Sequence, residues 1–133
     1  MKIFQQLVIG LKGLFIRQKP FTCINLVTLF DKERYTVDRG VPSITIGRNE
    51  TNTIVIPDER ISRLHCRIDY QEGIGLQITD YSKNGTWITD PELKSVIYLL
   101  NKSGWFQINQ GYIFLGLPPA SGFNMTRIQF SCY

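Results

Sequence analysis

The stretch ERISRLHCRI, residues 59–68, holds Arg60, Arg63 and Arg67 together with Ser62 and His65, the only histidine of the chain. Two other segments are loaded in the same way: GRNETN at 47–52 supplies Arg48, and SKNGT at 82–86 supplies Lys83 and Asn84. Pooled, these residues are cationic and rich in hydrogen-bond donors. They lack the companions that a reaction needs: neither His65 as a base nor Ser62 as a nucleophile has the paired groups of a triad. No Walker loop, zinc-ligand spacing or paired-carboxylate motif occurs. The set is that of a binding site, not of an enzyme, and it calls for no cofactor and no metal.

Loops of this kind work only when a rigid scaffold presents them. From Phe21 onward the sequence supplies one, as short runs rich in Ile, Val, Thr, Phe and Tyr with apolar residues at every second position, each closed by a turn signal. FTCINLVTLF ends at DKE, RYTV at DRG, SITIG at RNETN, TIVI at PDER, HCRIDY at QEGIG, LQITDY at SKNG and TWIT at DPEL. VIYLL, WFQI, YIFLGL and MTRIQFSCY follow. About eleven strands with no helical pattern between them predict an all-β sandwich over residues 21–133. Trp87 and Trp105 fall inside such runs and are expected in its core.

Residues 1–20 differ. Ile3, Phe4, Leu7, Val8, Leu11, Leu14 and Phe15 are spaced for one face of a helix, against Lys and Gln. Gly10 and Gly13 weaken that pattern, so the segment reads as a short amphipathic helix or an added strand docked on the sandwich. Its acid-free basic character also fits a transit peptide, whereas its apolar run is too interrupted for a membrane span.

The net charge of +4 resides entirely in this segment: Lys2, Lys12, Arg17 and Lys19 have no acidic counterpart before residue 31, and the rest of the chain balances eleven Lys and Arg with eleven Asp and Glu. A duplex-DNA binder concentrates positive charge on its folded body, so direct nucleic-acid binding is not expected. Apolar content of 43% and charged content of 20% suit one globular domain of this length. Three widely spaced cysteines, Cys23, Cys66 and Cys132, offer no disulfide framework, which predicts reduced thiols in an intracellular protein.

The series Gly47-Arg48, Ser62-Arg63-x-His65 and Asn84-Gly85-Thr86, with apolar strands between its members, resembles the forkhead-associated (FHA) domain, a phosphothreonine-binding β-sandwich. The likeness runs from about Phe21 to Tyr133. It implies that Arg48 grips the phosphate through its planar fork, that Ser62 donates its hydroxyl, and that Arg63 and Lys83 add charge or backbone donors. Such a receptor matches what a phosphate requires, namely fixed cations and donors with no competing carboxylate.

The resemblance further implies that Asn84 clamps the ligand backbone and that His65 braces the loops. Gly47, Gly85 and Thr86 belong to the supporting frame, with Gly85 at positive φ as Asn-Gly turns require. Arg60 stands where checkpoint-kinase members of the family carry an arginine that reads an acidic residue three places after the phosphothreonine; Asp58 and Glu59 are beside it and could occupy it instead. The implied ligand is pThr-x-x-Asp/Glu on a partner protein.

RISRLH and NGTW are closest in wording to modules of eukaryotic checkpoint-type kinases, which implies a nuclear signalling protein with neither membrane nor direct nucleic-acid contact. Departures from the family occur at WITDPEL, SGWFQI and LPPASGFN, away from the phosphate residues. The rival readings are a constitutive dimerisation or docking domain with an idle pocket, working through residues 1–20, and a small enzyme or nucleic-acid binder on the same sandwich.

Overall fold

The computed structural model describes residues 22–71, 75–106, 109–119 and 126–133. The period-two runs become eleven strands: β1 Cys23–Thr28, β2 Arg34–Asp38, β3 Ser43–Gly47, β4 Ile54–Val55, β5 Cys66–Gln71, β6 Gly75–Asp80, β7 Thr86–Thr89, β8 Val96–Leu99, β9 Ser103–Phe106, β10 Gln110–Leu115 and β11 Arg127–Cys132. They form a six-stranded sheet in the order β2-β1-β11-β10-β7-β8 and a five-stranded sheet in the order β4-β3-β5-β6-β9. All pairings are antiparallel except β3 with β4. The chain is an all-β sandwich, with no α-helix among the described residues. The helix or strand expected over residues 1–20 lies outside them.

Alternation along the strands builds the core. In β1 the side chains of Ile24, Leu26 and Thr28 turn inward while Cys23, Asn25 and Val27 stay half-exposed. Ile44, Ile46, Ile68, Leu76, Ile78, Ile88, Ile113, Ile128 and Phe130 supply the facing layers, each at most 2% exposed. Burying one such side chain contributes roughly 1.5–3 kcal/mol.

Trp87 and Trp105 depart from expectation. Phe106 sits opposite Leu76 and points inward, which sends the adjacent Trp105, opposite Gln77, to the outer face, where it is 43% exposed. Trp87 is half-buried on the outer face of the six-stranded sheet, its ring 4.6 Å from that of Tyr98. In both strands the apolar residues are consecutive, so the sequence does not reveal which of two neighbours faces the core.

Register also brings the loaded loops together. Ile46 pairs with Cys66 and Cys66 with Asp80, so these three residues form one row across β3, β5 and β6. The loops 48–53, 56–65 and 81–85 therefore leave the five-stranded sheet from the same end.

Candidate functional site

Assembly of the site starts at Gly47, the buried last residue of β3. A Cβ there would overlap the carbonyl oxygen of Arg63 and lie 2.7 Å from Nδ2 of Asn52. Only glycine lets the two loops close to this distance. The seam is then sewn by backbone hydrogen bonds: Arg48 N–H donates to the Ser62 carbonyl (2.9 Å) and Asn49 N–H to the Arg63 carbonyl (3.2 Å). Nδ2 of Asn52 donates to the carbonyls of Arg63 (2.6 Å) and Asn49 (2.8 Å).

Arg48 is exposed, yet its direction is fixed. Its Nε donates to the carbonyl of Ile61 at 3.0 Å, and Ile61 is itself buried at 1% exposure. No carboxylate pairs with Arg48 among the described residues, so its two terminal nitrogens remain available as a fork. Beside it, Oγ of Ser62 accepts the Lys83 backbone N–H at 3.1 Å. That bond occupies an oxygen lone pair and leaves the hydroxyl proton to donate elsewhere. Arg63 and Lys83 are held through their backbones while their side chains are exposed.

His65 ties this loop to the next. It is completely buried; Nδ1 accepts the Ser62 backbone N–H (3.1 Å), which leaves the ring proton on Nε2 to be donated to the Gly85 carbonyl (2.9 Å). Burial holds its pKa below the usual imidazole value, outweighing the opposing effects of the Gly85 carbonyl and of Asp80. His65 is thus a neutral strut between the loops.

The anchor of the third loop is Asp80, which the sequence reading passed over. This carboxylate, 1% exposed, accepts Oγ–H of Ser82 (2.7 Å) and Oγ1–H of Thr86 (2.6 Å) on Oδ1, and the backbone N–H groups of Ser82 (3.2 Å) and Asn101 (2.9 Å) on Oδ2. Ser82 Oγ in turn accepts the Gly85 N–H at 2.7 Å. Thr86 is accordingly a buried member of this network. A clue existed in the sequence: Asp80 occupies an inward phase of LQITD, and a carboxylate there must be matched by donors.

Gly85 has φ of 101°, and a Cβ on it would overlap the Tyr98 ring. Tyr98 O–H donates to the Asn84 carbonyl at 3.2 Å. The Asn84 side chain is exposed and engages no described residue, so its amide can both donate to and accept from a ligand backbone. Tyr98 and Asn52 escaped the sequence reading because each acts on a loop distant in sequence.

Arg60 is engaged. Its Nε and Nη2 make a bidentate pair with the Asp58 carboxylate, at 2.8 and 2.5 Å, and its backbone N–H also donates to Asp58 Oδ1. The Arg60 guanidinium holds the Asp58 carboxyl below its usual pKa. Of the two outcomes left open by the sequence, the structure displays the pair with Asp58. Among the described residues, no group of three His, Cys, Asp or Glu side chains could hold a metal. Burial pushes the Cys66 thiol upward and Cys132 to about 12, so neither supplies a thiolate at neutral pH.

Comparisons with known proteins agree with this geometry. The sequence model of the FHA domain matches residues 44–103, the interval that contains Arg48, Ser62, His65 and Asn84. No curated protein matches the chain by sequence. Among solved structures, the FHA domain of the CT664 protein from Chlamydia trachomatis has 20% identity and a TM-score of 0.61, with 84% of this chain and 99% of that one covered. Rv1747 FHA-1 from Mycobacterium tuberculosis has 15% identity and a TM-score of 0.55, covering 85% and 96%. A structure determined for phosphothreonine-dependent FHA domain interactions has 18% identity and a TM-score of 0.60, covering 84% and 98%. Residues 44–103, the segment that spans the three braced loops, match the FHA domain, and the chain has the FHA β-sandwich fold.

Proposed function

We infer that this domain binds a phosphothreonine on a partner protein and so acts as a phosphorylation-dependent interaction module. The observation that carries the reading is the pairing of exposed Arg48, held at Nε with its terminal nitrogens engaging no described residue, with a Ser62 hydroxyl whose proton is left to donate. A phosphate monoester presents nearly two negative charges and three acceptor oxygens, the complement of that pair. One structure of the same fold concerns phosphothreonine-dependent FHA domain interactions, which adds support from outside the chain. Asn84, whose side chain engages no described residue and which is next to Lys83, clamps the peptide backbone beside the phosphate.

The finer reading is that Arg60 selects an acidic residue three places after the phosphothreonine. Arg60 lines an open cleft of about 440 Å³ with Pro57, Asp58 and Glu59. Because it is paired with Asp58, a ligand carboxylate has to displace that partner or share the guanidinium. Solvent screens a pair at the surface and leaves it weak, so the exchange is feasible and the resulting preference graded. On this reading the domain recruits the protein that carries it, of the checkpoint-kinase class that RISRLH and NGTW resemble, to phosphorylated partners.

The test is fluorescence anisotropy with phosphothreonine peptides and their unphosphorylated twins. Binding confined to the phosphorylated member, weakened at least about tenfold by Arg48→Ala, is expected. Equal binding of the twins, or an Arg48→Ala protein that binds as well as the parent, would sink the reading. The +3 preference is examined separately: it fails if Arg60→Ala leaves the ratio between acidic and neutral +3 peptides unchanged.

A further inference from the structure

The edge of a β-sheet exposes a row of unpaired N–H and C=O groups, and soluble proteins protect such edges with charge, brevity or cover. Edge strand β2 carries Arg34 and Asp38, and edge strand β4 is two residues long. Of the two uncharged four-residue edges, β8 and β9, β8 is the more apolar. Its sequence is VIYL, followed by Leu100, and Val96, Ile97, Tyr98 and Leu100 are 40–48% exposed. Strand β7 is its one partner among the described residues.

The phase of the pairing shows which groups are open. Asp90 N–H donates to the Ser95 carbonyl, which makes that pair hydrogen-bonded. In an antiparallel ladder such pairs alternate, so Ile97 and Leu99 turn their backbone groups toward β7 while Val96 and Tyr98 turn theirs away from the sheet.

We propose that β8 is a self-association edge, on which a second copy of this chain pairs its own β8 antiparallel to the first about a two-fold axis at Ile97. Several observations select a copy as the occupant. With the axis there, Val96 of each chain faces Tyr98 of the other, so the outward backbone groups of one strand meet the outward groups of its mate and apolar side chains meet apolar side chains. Charge follows the same symmetry. The turn before β8 carries Asp90, Glu92 and Lys94, a net negative set in which Lys94 Nζ lies 3.2 Å from Glu92 Oε1, and Lys102 follows the strand; Glu92 and Lys102 both stand five residues from Ile97. An antiparallel copy brings these opposite ends together, whereas a parallel one would set like against like. A two-fold interface of this kind closes on itself and does not propagate into a filament.

The seam would lie next to the ligand loop, because Tyr98 O–H is hydrogen-bonded to the Asn84 carbonyl. Two peptide sites would then flank one axis, and a doubly phosphorylated partner would bind with avidity beyond that of either site. This consequence rests on the phosphopeptide reading; the self-association does not.

The test is analytical ultracentrifugation of the full chain without ligand, in a concentration series reaching the millimolar range, for the parent and for Val96→Lys. Val96 is 48% exposed and outside the binding loops, so the substitution should leave single-site phosphopeptide binding intact. Expected is a mass that rises from that of the 15.3 kDa monomer toward twice that value, with association weakened at least about tenfold in Val96→Lys. Amide hydrogen exchange of the parent supplies an independent readout: the Val96 and Tyr98 amides should gain protection as concentration rises, while those of Ile97 and Leu99 are protected throughout. A chain that stays monomeric, an association that Val96→Lys leaves unchanged, or Val96 and Tyr98 amides indifferent to concentration would each overturn the proposal. None of those results would bear on the phosphopeptide reading.

Discussion

At the scale of single residues, the site depends on direction more than on charge. Arg48 spends one nitrogen on the Ile61 carbonyl and leaves two that engage no described residue, a division that a lysine cannot reproduce with a single ammonium. Arg48→Lys should therefore weaken phosphopeptide binding nearly as far as Arg48→Ala, by at least about tenfold or 1.4 kcal/mol, in an anisotropy titration. Recovery to within twofold of the parent would show that charge alone suffices. Tyr98 offers a subtler case. Its hydroxyl holds the Asn84 carbonyl, so Tyr98→Phe removes one hydrogen bond worth about 1 kcal/mol while retaining the ring against Gly85 and Trp87. The expected result is a few-fold loss of affinity for a phosphopeptide with no change for phosphothreonine alone. Equal loss for both ligands would place Tyr98 in the general stability of the domain and not behind the Asn84 clamp.

At the scale of elements, the strands were legible in the sequence and the devices that join their loops were partly so. Period-two patterns such as CINLVT and GLQITD predicted where strands run, because a half-buried strand must alternate. They misplaced Trp105, since WF is an apolar pair whose phase depends on Leu76 opposite Phe106, a long-range fact. The loop donors Arg48, Ser62 and Asn84 could be found from residue type, whereas Asp80, which receives four donors from Ser82, Thr86 and Asn101, could be suspected only from its inward phase. Asp80→Asn halves the acceptor capacity and sets an amide against donors. With buried donors left unmatched at about 1–3 kcal/mol each, a destabilisation of about 3 kcal/mol is expected in urea unfolding, accompanied by weaker phosphopeptide binding. Unchanged stability would mean that the loop is held chiefly by His65 and Gly85.

At the scale of the whole molecule, the loops, the sheet end and the core are coupled through one buried neutral imidazole, so global stability should report on the site. His65 titrates near pH 6.5 when unfolded, and burial lowers that value in the native state. Between the two values the unfolded chain binds more protons than the folded one. Stability is thus fully present above about pH 6.5 and declines as pH falls toward the folded value, with a slope of at most about 1.4 kcal/mol per pH unit. The Asp58 carboxyl, lowered by Arg60, adds its own loss only as pH falls below the ordinary value of 3.8, which separates the two windows. Urea unfolding between pH 7.5 and 5 is the cleaner measurement, because the second ionisation of the ligand phosphate, near pH 6, would itself alter a binding curve. The parent should lose stability across that interval, and His65→Gln, whatever its absolute stability, should show a flatter profile. A parent whose stability is constant from pH 7.5 to 5 would require His65 to accept a proton in place without disturbing Ser62 or Gly85, against an Nδ1 that already accepts the Ser62 N–H.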